Sequence, residues 1–231
     1  MKIIKNEKLI KRNSTIGNYM SIGALVVLGT GMYISLKRTD LFPYAMIALV
    51  AGFIMTQVGI YMGNRYGRSP RPDEKLDAAL KGLQNEFAIY HYTTPASHLL
   101  VGPAGVWVLL PYHQRGQMIY KKNRWQLKGG GFLQGYMRIF GQEGIGRPEL
   151  EVEGEINAVK KYLAKQIDET EIPEINAMLV LTADEMEIEA ADAPVPAMKV
   201  KQIKDFFRQR AKEKPIGQIQ LAAIKATLPE E

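Results

Sequence analysis

The sequence predicts an α/β domain with a mixed sheet and flanking helices, preceded by a transmembrane α-helical hairpin. Three observations predict it. Residues 13–36 and 41–64 are runs of 24 residues without a charged side chain, and about 20 apolar residues cross a bilayer core as a helix. From residue 72 onward the patterns alternate as helix, strands, helix, strand, strand, helix, the order of a layered α/β fold. The strand candidates at 98–101 and 106–110 are continuously apolar, as strands covered on both faces are.

Averages over the chain conceal this division. The 231 residues carry 30 Lys and Arg against 24 Asp and Glu, a formal charge of +6. The sequence pI is about 9.3 and the mean hydropathy −0.15. Residues 1–71 hold ten basic and two acidic groups, net +8; residues 72–231 hold 20 basic and 22 acidic groups, net −2. The basic pI therefore belongs to the hairpin, where it sets topology, and is no argument for nucleic-acid binding by the domain. A hydrophobic share of 46% excludes a disordered chain. The absence of Cys excludes a disulfide scaffold, a thiol nucleophile and a thiolate zinc site.

In the hairpin, the first span is expected at 14–36 and the second at 41–64, with residues 1–71 as the anchor. Only Lys37, Arg38, Thr39 and Asp40 separate the uncharged runs, so both ends lie on one side. Pro43 fits the first turn of the second helix. Lys2, Lys5, Lys8, Lys11 and Arg12 precede the spans and Arg65, Arg68 and Arg71 follow them, eight cations against two in the turn. That asymmetry puts both termini and the soluble domain in the cytoplasm, on a multi-pass protein of the cytoplasmic membrane. A cleaved signal peptide is disfavoured, because a second span follows where a cleavage site belongs. Gly59 and Gly63, and Ala48 and Gly52, are four apart, a spacing that lets helix backbones approach. Packing within the hairpin is the expected use of that face, with dimerisation the other.

The domain is expected over 72–213, with 214–231 as a loosely attached tail holding one short helix near 219–226. A helix over 73–84 presents Leu76, Ala79, Leu80 and Leu83 on one side. A strand follows at 87–92. Next come the two apolar strands around a turn at Gly102, Pro103, Ala104 and Gly105. A hairpin is expected over 117–121 and 124–127, turning at Lys122 and Asn123. The helix over 149–167 carries Leu150, Ile156, Val159, Leu163 and Ile167 as its apolar stripe. Strands are expected at 176–182, 186–189 and 198–200. A last helix over 201–212 turns Ile203, Phe206, Phe207 and Ala211 inward.

The run from Ser97 to Gly116, with His98-Leu-Leu-Val-Gly-Pro-Ala-Gly-Val-Trp-Val108 at its centre, resembles the NERD (nuclease-related domain) family. Trp125, Pro148 with its helix, and the strand at 179–181 fit the same pattern, so the resemblance covers roughly 73–212. It implies a restriction-endonuclease-like fold with metal ligands at the ends of adjacent strands. The family's Asp, Glu and Lys fall here on Ser97, Leu110 and Tyr112, with Pro111 between the last two. Hydrolysis of that kind needs carboxylates on Mg²⁺, a metal-activated water and a cation for the developing charge. Leu110 binds no cation, Ser97 replaces a carboxylate poorly, and Tyr112 is uncharged at neutral pH. The expectation is a degenerate, non-catalytic module without a cofactor. The alternative is an active metal-dependent nuclease acting on DNA or RNA with relocated ligands, Glu86 or Glu143. An unrelated sensor domain on a two-helix anchor is a third reading.

Arg115, Lys121, Lys122, Arg124 and Lys128 form a candidate binding group for phosphate or an anionic surface. Arg138 and Arg147 extend it, and Tyr120, Trp125, Phe132, Tyr136 and Phe140 are interleaved, as stacking on nucleic acid requires. The plain alternative is a solvated hairpin whose lysines discourage strand pairing. Candidate partners are thus the bilayer, anionic headgroups, nucleic acid or a protein. His91, His98 and His113, with Glu86, match no metal signature and read as structural or surface groups. Residues 149–192 carry 13 acids and three Lys, which can pair with the basic helix around Lys199–Lys214.

Overall fold

The computed structural model describes residues 1–129 and 144–230. They divide into two compact units: Glu7–Arg71, and a second made of Met1–Asn6 with the described residues from Pro72 onward.

The first unit is the helical hairpin. Helix α1 spans Glu7–Lys37 and α2 spans Phe42–Met62, joined by a single tight turn over Thr39–Leu41. The buried positions of α1 are Ile10, Gly17, Ala24 and Gly31, and those of α2 are Ala45, Gly52 and Gly59. Both sets recur every seventh residue, the repeat that keeps one seam facing a partner helix. Small side chains along that seam let the backbones close up. A Cβ on Gly52 would sit 2.7 Å from Leu28 Cδ2, and one on Gly31 would sit 3.1 Å from Ala48 Cβ. The Ala48, Gly52 and Gly59 face is therefore used within the hairpin, whereas Gly63 has open space beside it.

Large apolar side chains cover the rest. Ile22, Leu25, Val26, Ile47, Val50 and Ile54 are all more than half exposed. Only 11% and 17% of the two apolar windows are buried, which is unlike a core helix of a soluble protein. Both helices are long and apolar enough to cross a membrane. Exposed tyrosines mark their ends, Tyr19 and Tyr61 away from the turn and Tyr33 and Tyr44 near it. These separations of 14 and 17 residues amount to about 21 and 25 Å of helix, within a hydrocarbon core of roughly 30 Å.

The second unit is a mixed α/β structure. Its main sheet contains β1 (Lys2–Lys5), β2 (Ala88–His91), β3 (His98–Gly102), β4 (Gly105–Tyr112), β7 (Ile175–Leu181) and β9 (Ala197–Lys199), in that spatial order. All run parallel except β3, which is antiparallel to both neighbours. A smaller sheet, ordered β6-β5-β8, comprises β5 (Gln117–Lys121), β6 (Arg124–Lys128) and β8 (Glu187–Glu189). The helices are α3 (Pro72–Leu80), α4 (Pro148–Leu163), α5 (Ile203–Glu213) and α6 (Gln218–Thr227).

Alternation along the strands divides the core into two layers. Leu99, Val101, Val108, Leu110 and Leu179 pack with Val152, Val159 and Leu163 of α4 and Ile224 of α6. Ile89, Leu100, Leu109, Met178 and Val180 pack with Leu76 and Leu80 of α3 and Ile203 and Phe207 of α5. Gly102 ends β3 because the Phe87 ring lies where its Cβ would be, with Phe87 Cγ at 2.7 Å. Lys122 and Asn123 both have positive φ, the backbone of a tight two-residue hairpin turn.

Three elements differ from the sequence reading. The charged tetrapeptide Lys2–Lys5, expected only as flanking cations, is the edge strand of the main sheet, with Ile4 3% exposed. In α4 the core positions are Val152, Val159 and Leu163, whereas Leu150 is 53% exposed; the stripe begins two residues later than periodicity around Leu150 indicated. Residues 214–231 were expected as a loose tail, yet α6 docks by Ile224 and Leu228, both buried in the core.

Candidate functional site

The C-terminal ends of the parallel strands gather the positions singled out by the nuclease resemblance. Leu99 pairs with Val108 across β3 and β4. Continuing that register by two residues sets Ser97 across from Leu110, with Tyr112 next along the same face. Helix α4 covers them. Ser97 Oγ donates to Glu155 Oε1 at 2.8 Å, and Tyr112 OH donates to Glu151 Oε2 at 2.7 Å. Glu151 and Glu155 are one helical turn apart, where like charges repel; a hydroxyl donor meets each. Burial, then the charge of Glu151 and its hydrogen bond, push the Tyr112 phenol far above its ordinary range, with Glu155 and Glu149 adding to the effect.

The magnesium implied by the resemblance does not fit this row. Leu110, 3% exposed, brings only an apolar side chain to the strand position between Ser97 and Tyr112. The nearby carboxylates accept from Ser97 and Tyr112, and among the described residues no three His, Asp or Glu side chains converge as metal ligands. Sequence reasoning missed Glu151 and Glu155, which it counted only as members of an acidic stretch. Their i, i+4 spacing opposite a strand pair was the available signal. Glu86, the relocated ligand expected from sequence, is exposed and precedes the other end of β2; Glu143 lies outside the described residues.

The row yields a direct prediction. Replacing Tyr112 with phenylalanine leaves the Glu151 carboxylate without its donor and lowers stability by about 1–3 kcal/mol. Denaturant unfolding of the full chain measures it, and no change would remove the bond from the account. The raised phenol also fixes a sign. Tyr112 stays protonated in the fold while an unfolded tyrosine titrates near pH 10, so this group's contribution is complete below that pH and is lost above it.

On the opposite face, at the same strand ends, lies a buried polar chain. Lys5 Nζ contacts Asp73 Oδ2 at 3.0 Å and also pairs with Asp77. Asp77 Oδ1 lies 2.9 Å from His91 Nε2, and His91 Nδ1 lies 2.7 Å from His98 Nδ1. Asp73 and His91 are fully buried and His98 is 2% exposed. The two imidazoles meet nitrogen to nitrogen, so in this contact one ring donates and the other accepts. His91 and His98 are thus satisfied core groups; His113 is exposed and stands apart from them.

The expected basic group is dispersed. Lys121 and Arg124 are cross-strand partners beside Lys122 at the β5–β6 tip. Lys128 is at the far end of the hairpin, opposite Gln117. Arg115 lies 3.6 Å from Glu185 on an exposed surface. Trp125, expected for base stacking, is 5% exposed and stacks against Tyr120 with ring centroids 5.2 Å apart. Phe132, Tyr136, Arg138 and Phe140 fall outside the described residues. In the turn before α5, Lys201 pairs with Asp184 of the acidic stretch at 2.7 Å, and on α5 the Arg210 guanidinium lies over the Trp107 ring.

The chain matches no family model, no curated protein and no solved structure.

Proposed function

We infer that this chain is a membrane-anchored, nuclease-related (NERD-like) module with a restriction-endonuclease-like core. It is non-catalytic and acts as a binding or interaction module at the cytoplasmic membrane face. One observation carries the reading. At the strand ends where hydrolysis needs two carboxylates and a lysine, Ser97 and Tyr112 are donors to Glu155 and Glu151, and Leu110 lies between them. Hydroxyl donors fill the role that a cation has in a working nuclease.

The anchor reading is supported by the two long helices with exposed apolar faces. The flanking cations favour a cytoplasmic placement of both ends. Pairing of β1 with β2 supports an even number of crossings, since the chain on either side of the hairpin joins one sheet. Lys121, Lys122 and Arg124 at the hairpin tip suit anionic headgroups, each cation contributing about 1 kcal/mol near such a surface.

A magnesium-dependent nuclease assay on the full chain in detergent tests the central claim, with no cleavage of DNA or RNA expected. Cleavage that survives repurification and disappears in Glu151→Gln and Glu155→Gln would establish the competing reading, a nuclease with relocated ligands. Protease protection of tags at both ends tests topology. Opposite protection of the two tags would overturn the hairpin.

A further inference from the structure

A cleft of about 850 Å³ opens between α5 and α6, at the end of the main sheet away from Ser97, Leu110 and Tyr112. Phe87 and Pro103 line its base, and Ile216 and Leu221 add apolar wall. The volume is within the range of sites for small organic ligands. Its charged lining is one-sided. Arg208 and Lys212 stand one turn apart on α5, and Lys225 enters from α6, against the single carboxylate of Glu86.

The contacts of these cations compensate little of that charge. Arg208 Nη2 donates to the Gly82 carbonyl at 3.0 Å, and its Nη1 lies 3.6 Å from an exposed Asp205. Lys225 Nζ donates to the backbone carbonyl of Glu86, not to its carboxylate. Like charges one turn apart on a helix repel, so Arg208 and Lys212 gain from an anion placed between them. The first turn of α6, which reaches the cleft through Gln218, holds no acid and no side-chain cap. The wall formed by α6 from Gln218 to Lys225 is only about 10 Å long. That is too short to seat a partner helix of ordinary length, and it favours a compact ligand.

We propose that this cleft binds an amphiphilic organic anion, an apolar body bearing one carboxylate or phosphate monoester. The anionic group lies among Arg208, Lys212 and Lys225, and the apolar body lies on Phe87, Pro103 and Leu221. The proposal stands on the cleft alone and is independent of the nuclease resemblance and of the anchor.

Hydrogen exchange over residues 203–227 of the full chain, held in phosphatidylcholine nanodiscs, tests it. The probes are octyl phosphate, octanoate, octanol and inorganic phosphate at matched concentrations. Both octyl anions are expected to slow exchange saturably, while octanol and inorganic phosphate have little effect. Lys212→Ala, at an exposed position, and Lys225→Ala, at a half-buried one, are each expected to weaken the apparent Kd by about fivefold. Ala211→Trp, which fills the cleft, is expected to abolish protection. Lys201→Ala, whose ammonium pairs with Asp184 away from the cleft, leaves the apparent Kd unchanged. Equal protection by octanol would mean apolar partitioning, equal protection by phosphate would mean an unspecific anion site, and either would overturn the proposal. So would an unchanged Kd in Lys212→Ala, or no protection by either octyl anion.

Discussion

Lys5→Met is expected to lower the stability of the α/β unit by about 3–5 kcal/mol, the cost of removing one partner from a buried ion pair. The size follows from what remains behind. Asp73 is fully buried, and Asp77 holds His91 and through it His98. Without the ammonium, a carboxylate stays in the core with its main counter-charge gone. A second substitution separates charge from packing. Asp73→Asn in the Lys5→Met background removes the buried negative charge and is expected to recover about half of the loss. Chemical unfolding of the full chain followed by near-ultraviolet circular dichroism reads both. A loss in Lys5→Met below about 1 kcal/mol would place Lys5 among ordinary surface cations.

The same lysine sets an alkaline limit. Burial by itself lowers the Lys5 pKa, but hydrogen bonds and charges from Asp77 and Asp73 outweigh it and raise it above 10.5. A raised value in the fold means that the contribution is whole below pH 10.5 and is lost as pH climbs through the folded value. Tyr112 acts in the same direction, so wild type is expected to lose stability steeply above pH 10. Lys5→Met is expected to lose less over that window.

Gly59→Leu is expected to separate the two hairpin helices. A side chain there meets Ser21, whose backbone nitrogen lies 3.1 Å from the Cβ position. Only Ser21 Oγ can turn away; the backbone cannot. Overpacking of this kind costs about 1–3 kcal/mol where side chains can yield, and more than that is expected against a main chain. Thermal unfolding in detergent and the mobility of the hairpin on denaturing gels both report it. Gly63→Leu, which meets open space, is the matched control and is expected to change neither. Equal effects at the two sites would assign the glycine seam to something other than helix contact.

Much of the α/β unit was legible because its strands are buried on both faces. Continuous apolar runs such as His98–Gly102 and Gly105–Tyr112 have one interpretation when Gly and Pro punctuate them. Lys122-Asn123 was legible because few residue pairs tolerate positive φ in succession. Strand β1 was not, since Lys2-Ile-Ile-Lys5 is an edge and only Ile4 enters the core. Its cations read equally well as topology signals, and Lys5 became legible only once its partners 68 and 72 residues away were placed.

At the candidate site, the sequence identified Ser97, Leu110 and Tyr112 as exceptions to a pattern. It did not identify Glu151 and Glu155 as their partners. Local spacing cannot align a helix with a strand pair some 40 residues earlier; tertiary packing of Val152, Val159 and Leu163 does that. The heptads of small residues in the hairpin were visible only in part. Pairs four apart are plain in the sequence, whereas the seven-residue recurrence spans Gly17, Ala24 and Gly31 on one helix and Ala45, Gly52 and Gly59 on the other.

The placement of β1 has a consequence for the order of events during synthesis. The strand leaves the ribosome well ahead of its neighbour in the sheet, β2, which begins at Ala88. At about 5–20 residues per second, the wait for β2 lasts roughly 4–17 s. Throughout that interval Ile3 and Ile4 have no partner strand, while the hairpin forms behind them. Lys2 and Lys5 on either side are what keep so short an apolar pair soluble and unattractive to other edges. Closure of the α/β unit is then the step that fixes Lys2–Lys5, and a nascent chain halted before Ala88 should leave these residues open to proteases.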